Sequence, residues 1–217
     1  MNQLAAYVDQ VADDPYKSLA LLQQLGLHYV VVERLWTTTL LDVREPLLAE
    51  FRSECSKYEI EILAIEVDSH TDRVPLISSY LKNPYVIYRQ QPTLQQIVDS
   101  VQANYVPVTY FAEGAQKSSS RLKWLFDPCA FPPGKAMAAW HDDANFFGVS
   151  VHDKDYVSGS KPLGFGKTGV LDVVKNTTNK WLLFKPSLGR RYGSLETRED
   201  IFKENLSLLR AVLPQES

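Results

Sequence analysis

The residues of this chain that could do chemistry stand where apolar runs stop. Asp127 closes Trp124-Leu125-Phe126, and His152 closes Phe147-Gly148-Val149-Ser150-Val151, with Lys154 and Asp155 two and three residues further on. Lys185 ends Trp181-Leu182-Leu183-Phe184, and Glu33, Asp68, His70, Arg89 and Glu113 follow other runs of the same kind. A carboxylate, an imidazole and an ammonium gathered at strand ends can orient a substrate and move its protons. A desolvated lysine there has two readings: a lowered pKa and a Schiff base, or a structural salt bridge. His152 reads either as a functional imidazole or as a hydrogen-bonding core residue. Arg190-Arg191 can grip a phosphate or carboxylate through paired donors, or stand as solvated surface charge.

These residues need elements to position them. Continuous apolar stretches predict strands over 4–8, 28–35, 59–67, 85–88, 105–111, 123–126, 146–151 and 181–184. Such runs suit strands covered on both faces. Between them, helical spacing predicts helices near 15–25, 42–58, 74–81, 93–103, 134–141 and 170–176, and a closing helix over 199–213. Asp14-Pro15 is a helix start, with Asp as cap and Pro at the first turn. Leu94, Ile97, Val98 and Val101 are expected on one side of their helix. The loop 153–169 is glycine-rich. Strands alternating with helices demand a parallel sheet, and eight such units close most naturally into a (β/α)8 barrel with its chemistry at the carboxyl ends of the strands. A six- or seven-strand open sheet is the alternative.

The chain has 217 residues, and 1–217 read as one domain. Hydrophobic content of 45% and charged content of 23% are ordinary for a globular protein. A net charge of −3 supplies no global basic field for nucleic acid. Two cysteines, Cys55 and Cys129, make no disulfide framework. No signal-peptide pattern and no long apolar run stands out, so the expectation is a cytoplasmic protein with no membrane partner. Gly164-x-Gly166 lacks the context of a dinucleotide fingerprint, and there is no phosphate-binding P-loop or Gly-x-Ser-x-Gly elbow.

Asp127-Pro128 after one strand, His152-x-Lys154-Asp155-Tyr156 after the next, then Pro162-Leu163-Gly164-x-Gly166, resemble the xylose isomerase-like TIM barrels, the sugar (phosphate) isomerases and epimerases. More weakly, the resemblance extends over almost the whole chain. It implies a divalent ion (Mn, Mg or Zn) held by a Glu after strand five, an Asp after strand six, a His after strand seven and a Glu after strand eight. Asp127 and His152 match two of these. The strand-five position falls on Tyr110 or Phe111, with Glu113 a little later, and the strand-eight position falls on Lys185. The family's Gly-Glu-Gly is Gly164-Phe165-Gly166 here.

A lysine in place of a glutamate changes the site by two charge units and opposes a cation. The expectation is therefore an eroded metal site in which Lys185 pairs with Asp127. The resemblance implies an isomerase or epimerase of a small carbohydrate or sugar phosphate. Asp127, His152, Lys185 and Glu113 would be its catalytic groups, with Glu113 the candidate base. Glu33, His70, Arg89, Lys154 and Arg190 would lie toward the substrate. Two further readings stay open: a non-catalytic barrel binding a carbohydrate or a partner, and a lyase using Lys185. A homodimer is left open as well.

Overall fold

Alternation along each strand decides what this barrel presents inside and outside. In the computed structural model, which describes residues 2–111, 120–140, 145–155, 159–186 and 197–213, eight parallel strands close on themselves. They are β1 (Gln3–Tyr7), β2 (Tyr29–Val32), β3 (Glu61–Val67), β4 (Tyr85–Tyr88), β5 (Val106–Tyr110), β6 (Lys123–Phe126), β7 (Phe146–Val151) and β8 (Trp181–Phe184). Each strand pairs with its sequence neighbour, and β1 pairs with β8 to close the ring, Gln3 opposite Trp181. This is the (β/α)8 TIM barrel that the alternation of elements implies.

Among the described residues seven α-helices surround it: α1 (Pro15–Gln24), α2 (Glu45–Lys57), α3 (Arg73–Leu81), α4 (Leu94–Gln102), α5 (Ala136–Ala139), α6 (Val170–Lys175) and α7 (Arg198–Val212). None of them is long and apolar enough to cross a membrane. Asp14 caps α1, accepting from the Tyr16 amide at 3.0 Å, with Pro15 in the first turn as expected. Thr93 with Gln96, and Thr197 with Asp200, form reciprocal capping boxes on α4 and α7.

Two apolar layers follow from the strand period of two. Outward residues such as Val30, Val32, Ile65, Val149 and Val151 meet the helices. Inward residues Ala5, Val31, Ala64, Ile87, Val108, Leu125 and Leu183 fill the barrel. Val30, Val32, Leu63, Ile65, Ile87, Val108, Leu125, Val149, Val151 and Leu183, the strand residues expected in the core, are all buried. Close approach of β7 and β8 needs Gly148, because a Cβ there would lie 2.2 Å from the Trp181 carbonyl oxygen.

Four local expectations are corrected. The strand over 28–35 stops at Val32, and a two-residue hairpin follows, Arg34–Leu35 against Thr38–Thr39, turned by Trp36 and Thr37 at positive φ. The helix over 134–141 is one turn, Ala136–Ala139. The 153–169 loop begins with a short antiparallel pair, Asp153–Asp155 with Gly159–Lys161. On α4 only Ile97 of the expected stripe is buried. Leu94, Val98 and Val101 are 61%, 51% and 38% exposed, because the helix turns Ile97 and Ser100, not the rest of that stripe, toward the barrel.

Candidate functional site

The strand alternation that buries Val31, Ala64, Ile87, Leu125 and Leu183 continues past the strand ends. Two residues on from each, it points Glu33, Glu66, Arg89, Asp127 and Lys185 into the barrel mouth. Tyr7, Tyr110 and His152 arrive there the same way. The barrel thus gathers polar groups from all around its rim, as barrel enzymes do.

On the β2–β4 side these groups form one charge network. Lys185 Nζ lies 2.5 Å from Glu33 Oε2 and 3.5 Å from Glu66 Oε1. Arg89 reaches Glu33 at 2.6 Å, Glu66 at 2.7 Å and Asp68 at 3.1 Å. Glu66 is 2% exposed. Its second oxygen accepts from the Tyr7 hydroxyl and from the Tyr110 hydroxyl at 3.2 Å. Burial, helped by the Glu66 charge, pushes both phenols well above their usual pKa, so they remain donors. The Lys185 ammonium also sits 4.5 Å over the Tyr7 ring. Burial raises the Glu33 carboxyl, but Lys185 and Arg89 outweigh it and hold the group below its ordinary value.

Asp9, at the end of β1, faces the opposite balance. Burial first, then the Glu33 charge, raise it to about 6. Gln10 donates to Asp9 Oδ2 at 3.0 Å, while Oδ1 is buried and has no hydrogen-bond partner among the described residues.

On the β6–β7 side Asp127 Oδ1 lies 2.9 Å from His152 Nε2 and accepts from the Cys129 amide at 2.8 Å. Burial raises Asp127, yet the His152 contact and the Cys129 amide bring it below its usual value. His152 Nδ1 faces the Cys129 sulfur at 3.6 Å. Burial pushes that thiol up to about 12, so it is protonated. Lys154 adds positive charge beside both Asp127 and Cys129.

The loop beyond is folded around Asp153, which is 3% exposed. Its carboxylate accepts from the amides of Gly164 and Gly166 at 3.0 Å each and from the Thr168 hydroxyl at 2.7 Å. A Cβ on Gly166 would lie 2.0 Å from Asp153 Oδ1. The loop shaping expected of Lys154 and Asp155 therefore centres on Asp153, with Lys154 joining through its carbonyl, which accepts from Lys167 N at 2.9 Å.

The structure thus brings Glu33, Arg89 and Lys185 together, and Asp127 with His152. Lys185 is not an ion-pair partner of Asp127 among the described residues. Glu33 and Glu66 take its ammonium instead, because both carboxylates reach it and Asp127 turns to His152. His70 stays apart, its Nδ1 3.1 Å from the Tyr88 hydroxyl on the outer face of β4. Glu113 and Arg190 lie outside the described residues. Glu66, Tyr7 and Cys129 are additions to the expected set.

Two of the four positions that would hold a divalent ion are the inward Tyr110 and Lys185. A neutral phenol and an ammonium do not fit a hard cation, which asks for several oxygen anions. Asp127, Cys129 and His152 do bring ligand-type atoms within 4.8 Å of one another. However, they offer a single carboxylate, an imidazole and a soft sulfur, and Asp127 Oδ1 is already shared between an imidazole and an amide, so this trio does not fit a hard oxygen-seeking ion either.

No family model and no curated protein matches the sequence. Solved structures do match the fold. A xylose isomerase domain protein from Planctomyces limnophilus superposes with a TM-score of 0.66 at 12% identity, over 97% of this chain and 95% of that one. A D-psicose 3-epimerase solved in the presence of D-fructose gives 0.62 at 9% identity, over 97% and 99%. A xylose isomerase-like TIM barrel protein from Mycobacterium smegmatis in complex with magnesium gives 0.57 at 9%, over 98% and 97%. The fold is therefore the xylose isomerase-like form of the barrel.

Proposed function

We propose that this chain is an isomerase or epimerase acting on a small carbohydrate or sugar phosphate, with fixed protein cations at the centre of the mouth in place of a divalent ion. The observation that carries the reading is the Lys185 ammonium held between Glu33 and Glu66 on the strand next to the Asp127–His152 pair. The sugar epimerase and xylose isomerase-like neighbours in the fold comparison support the substrate class.

Abstraction of a proton beside a carbonyl puts negative charge on that oxygen, and a preorganised cation lowers its cost. Lys185 and Arg89 supply such cations. Asp127 holds the imidazole through Nε2, which leaves Nδ1 as the basic nitrogen in that tautomer. There its neighbour is the weakly bound Cys129 thiol, which a substrate hydroxyl or C–H can displace. His152 is then the proton carrier, Asp127 its orienting partner, and Lys154 a cation for an anionic substrate. Glu113, the candidate base of the sequence reading, would then be a partner base to His152, and Arg190 keeps its expected place toward the substrate. The lyase reading is disfavoured because an amine protonated between two carboxylates has no lone pair to offer.

A non-catalytic carbohydrate-binding barrel is the second reading. It is favoured by the saturation of Lys185 and Arg89, and by the ≈ 40 Å³ of the cavity over Glu33, Glu66 and Arg89. Proton NMR in D2O separates the two. With a chelator present, incubation with pentoses, hexoses and their monophosphates should wash deuterium into one carbon-bound position. His152→Asn should slow that exchange by about 100-fold or more. Saturation-transfer contacts to a sugar without any exchange would leave the binding reading standing and end the catalytic one.

A further inference from the structure

The end of the barrel opposite the mouth is built differently. Inward positions at the starts of β2, β4 and β8 are Tyr29, Tyr85 and Trp181, all half-buried. Tyr29 and Trp181 pack edge-to-face with centroids 4.9 Å apart. They floor an open cavity of ≈ 480 Å³ with Arg52 of α2 and Lys82 at its rim. That volume falls within the roughly 300–1,000 Å³ of small-molecule pockets. A second cavity of ≈ 360 Å³ lies alongside, lined by Arg52, Ser53, Ser79 and Tyr80. Arg52 and Ser56 line both, so the two lobes adjoin along one face of α2.

The charges here contrast with those of the mouth. Among the described residues neither Arg52 nor Lys82 has an ion-pair partner, and the single carboxylate along the two lobes is that of Glu61. Likewise, the hydroxyls of Tyr29 and Tyr85 make no hydrogen bond within the described chain. The three rings also plug this end of the barrel, packing on the inner apolar layer, with Tyr85 and Phe147 centroids 4.5 Å apart; that packing leaves the two phenols and the Arg52 guanidinium without partners among the described residues.

We propose that this two-lobed cavity binds a planar aromatic ring tethered to an anionic group. The ring lies against Trp181 and Tyr85, and the acid meets Arg52, with the Ser53 hydroxyl beside it. Stacking on an aromatic face is sequence-blind and ring-specific, while the guanidinium fork recognises a phosphate or a carboxylate through two donors. Two sources share this chemistry, a nucleoside monophosphate and a free aromatic carboxylate. The site is distinct from the mouth and does not depend on what the mouth does.

Isothermal titration of the full chain with AMP and, separately, with 2-naphthoate tests the assignment. Trp fluorescence gives a second readout. At least one ligand should bind below about millimolar, and Arg52→Ala should weaken it about tenfold or more, the effect of one charge-assisted hydrogen bond. Tyr85→Leu should weaken it as well, and His152→Asn should leave it unchanged. Binding of AMP alone assigns the nucleotide, and binding of naphthoate alone assigns the aromatic acid. No heat with either ligand at millimolar concentration overturns the proposal, as does an affinity indifferent to both Arg52→Ala and Tyr85→Leu.

Discussion

The two halves of the barrel mouth use the same strand-end positions for opposite purposes. On the β2–β4 side Glu33, Glu66, Arg89 and Lys185 satisfy one another almost completely. On the β6–β7 side Asp127 and His152 form a lone pair of groups whose outer nitrogen has only a thiol for company. A saturated ion network rigidifies but resists change, since removing one member strands the others. An imidazole with one firm partner and one soft one is free to exchange a proton. On the proposed function, the first half is the scaffold of the mouth and the second its reactive edge.

The largest way to break this contrast is Lys185→Met. It leaves Arg89 as the one cation shared by Glu33 and the nearly inaccessible Glu66 among the described residues, with the Tyr7 and Tyr110 hydroxyls still donating to Glu66. Because Lys185 itself is partly exposed, the cost should fall near the low end of the ~3–5 kcal/mol seen for broken buried pairs. Urea denaturation should show a lower midpoint with an unchanged slope. A loss below ~1 kcal/mol would mean the network is no scaffold.

Lys185→Glu goes further and turns the scaffold side anionic. The variant should gain affinity for manganese or zinc by calorimetry, at least tenfold over the parent, because the charge at the centre moves by two units. Parent and variant binding equally would remove Lys185 as the reason the site does not fit a metal.

Asp127→Asn probes the other half. Stability should drop by only about 1 kcal/mol, the scale of one hydrogen bond to a charged or polar partner. Deuterium exchange into a sugar should fall far more than folding does. Equal effects on both would erase the distinction between scaffold and edge.

The last contrast concerns pH. Glu33 and Asp127 are held below their ordinary values of 4.5 and 3.8. Each therefore contributes stability present above those values and lost as pH falls through the lowered folded pKa. Asp9 acts in the reverse sense. Raised from 3.8 to about 6, it stays protonated in the fold where the unfolded chain has already ionised. It therefore subtracts stability as pH climbs from about 4 to 6, and the full penalty persists above that. Asp9→Asn should stabilise the protein at pH 7 by about 1–2 kcal/mol and flatten the melting temperature between pH 4 and 6. A variant that melts in parallel with the parent across that window would show Asp9 to be ordinary.

The strands were legible because uninterrupted runs such as Tyr29–Val32 and Trp181–Phe184 have no other stable use in a chain of this kind. The motif residues Asp127 and His152 were legible for the same reason, each lying one step past such a run. Glu66 was not. It sits inside Glu61–Val67, and a run read as continuously apolar hides which residue faces which way. Counting by twos back from Asp68 would have placed Glu66 inward, between Ala64 and the rim. Lys185 pairs with Asp127 in the sequence reading because both fall on metal positions of the family it resembles, although Glu33 is in view there and is the closer partner. Cys129 escaped because a cysteine was weighed only for disulfides, although it stands two residues after Asp127. The exposed stripe on α4 shows the limit of periodicity: spacing identifies a face but does not say which way the helix turns it.

Closure of the ring between β1 and β8 has a consequence for how the chain is made. Asn2 donates to the Thr177 carbonyl at 2.7 Å, 175 residues away, and accepts from the Lys180 amide at 3.2 Å. Nothing earlier in the chain can substitute for that latch. While the ribosome adds residues, the growing sheet carries two raw edges, β1 on one side and the newest strand on the other. Both are templates for pairing with another chain. Only the emergence of β8 removes them together. The vulnerable period for aggregation therefore ends with a contact of very long sequence separation, the slowest kind to form, and a nascent chain stalled before Trp181 is the form that most needs a chaperone.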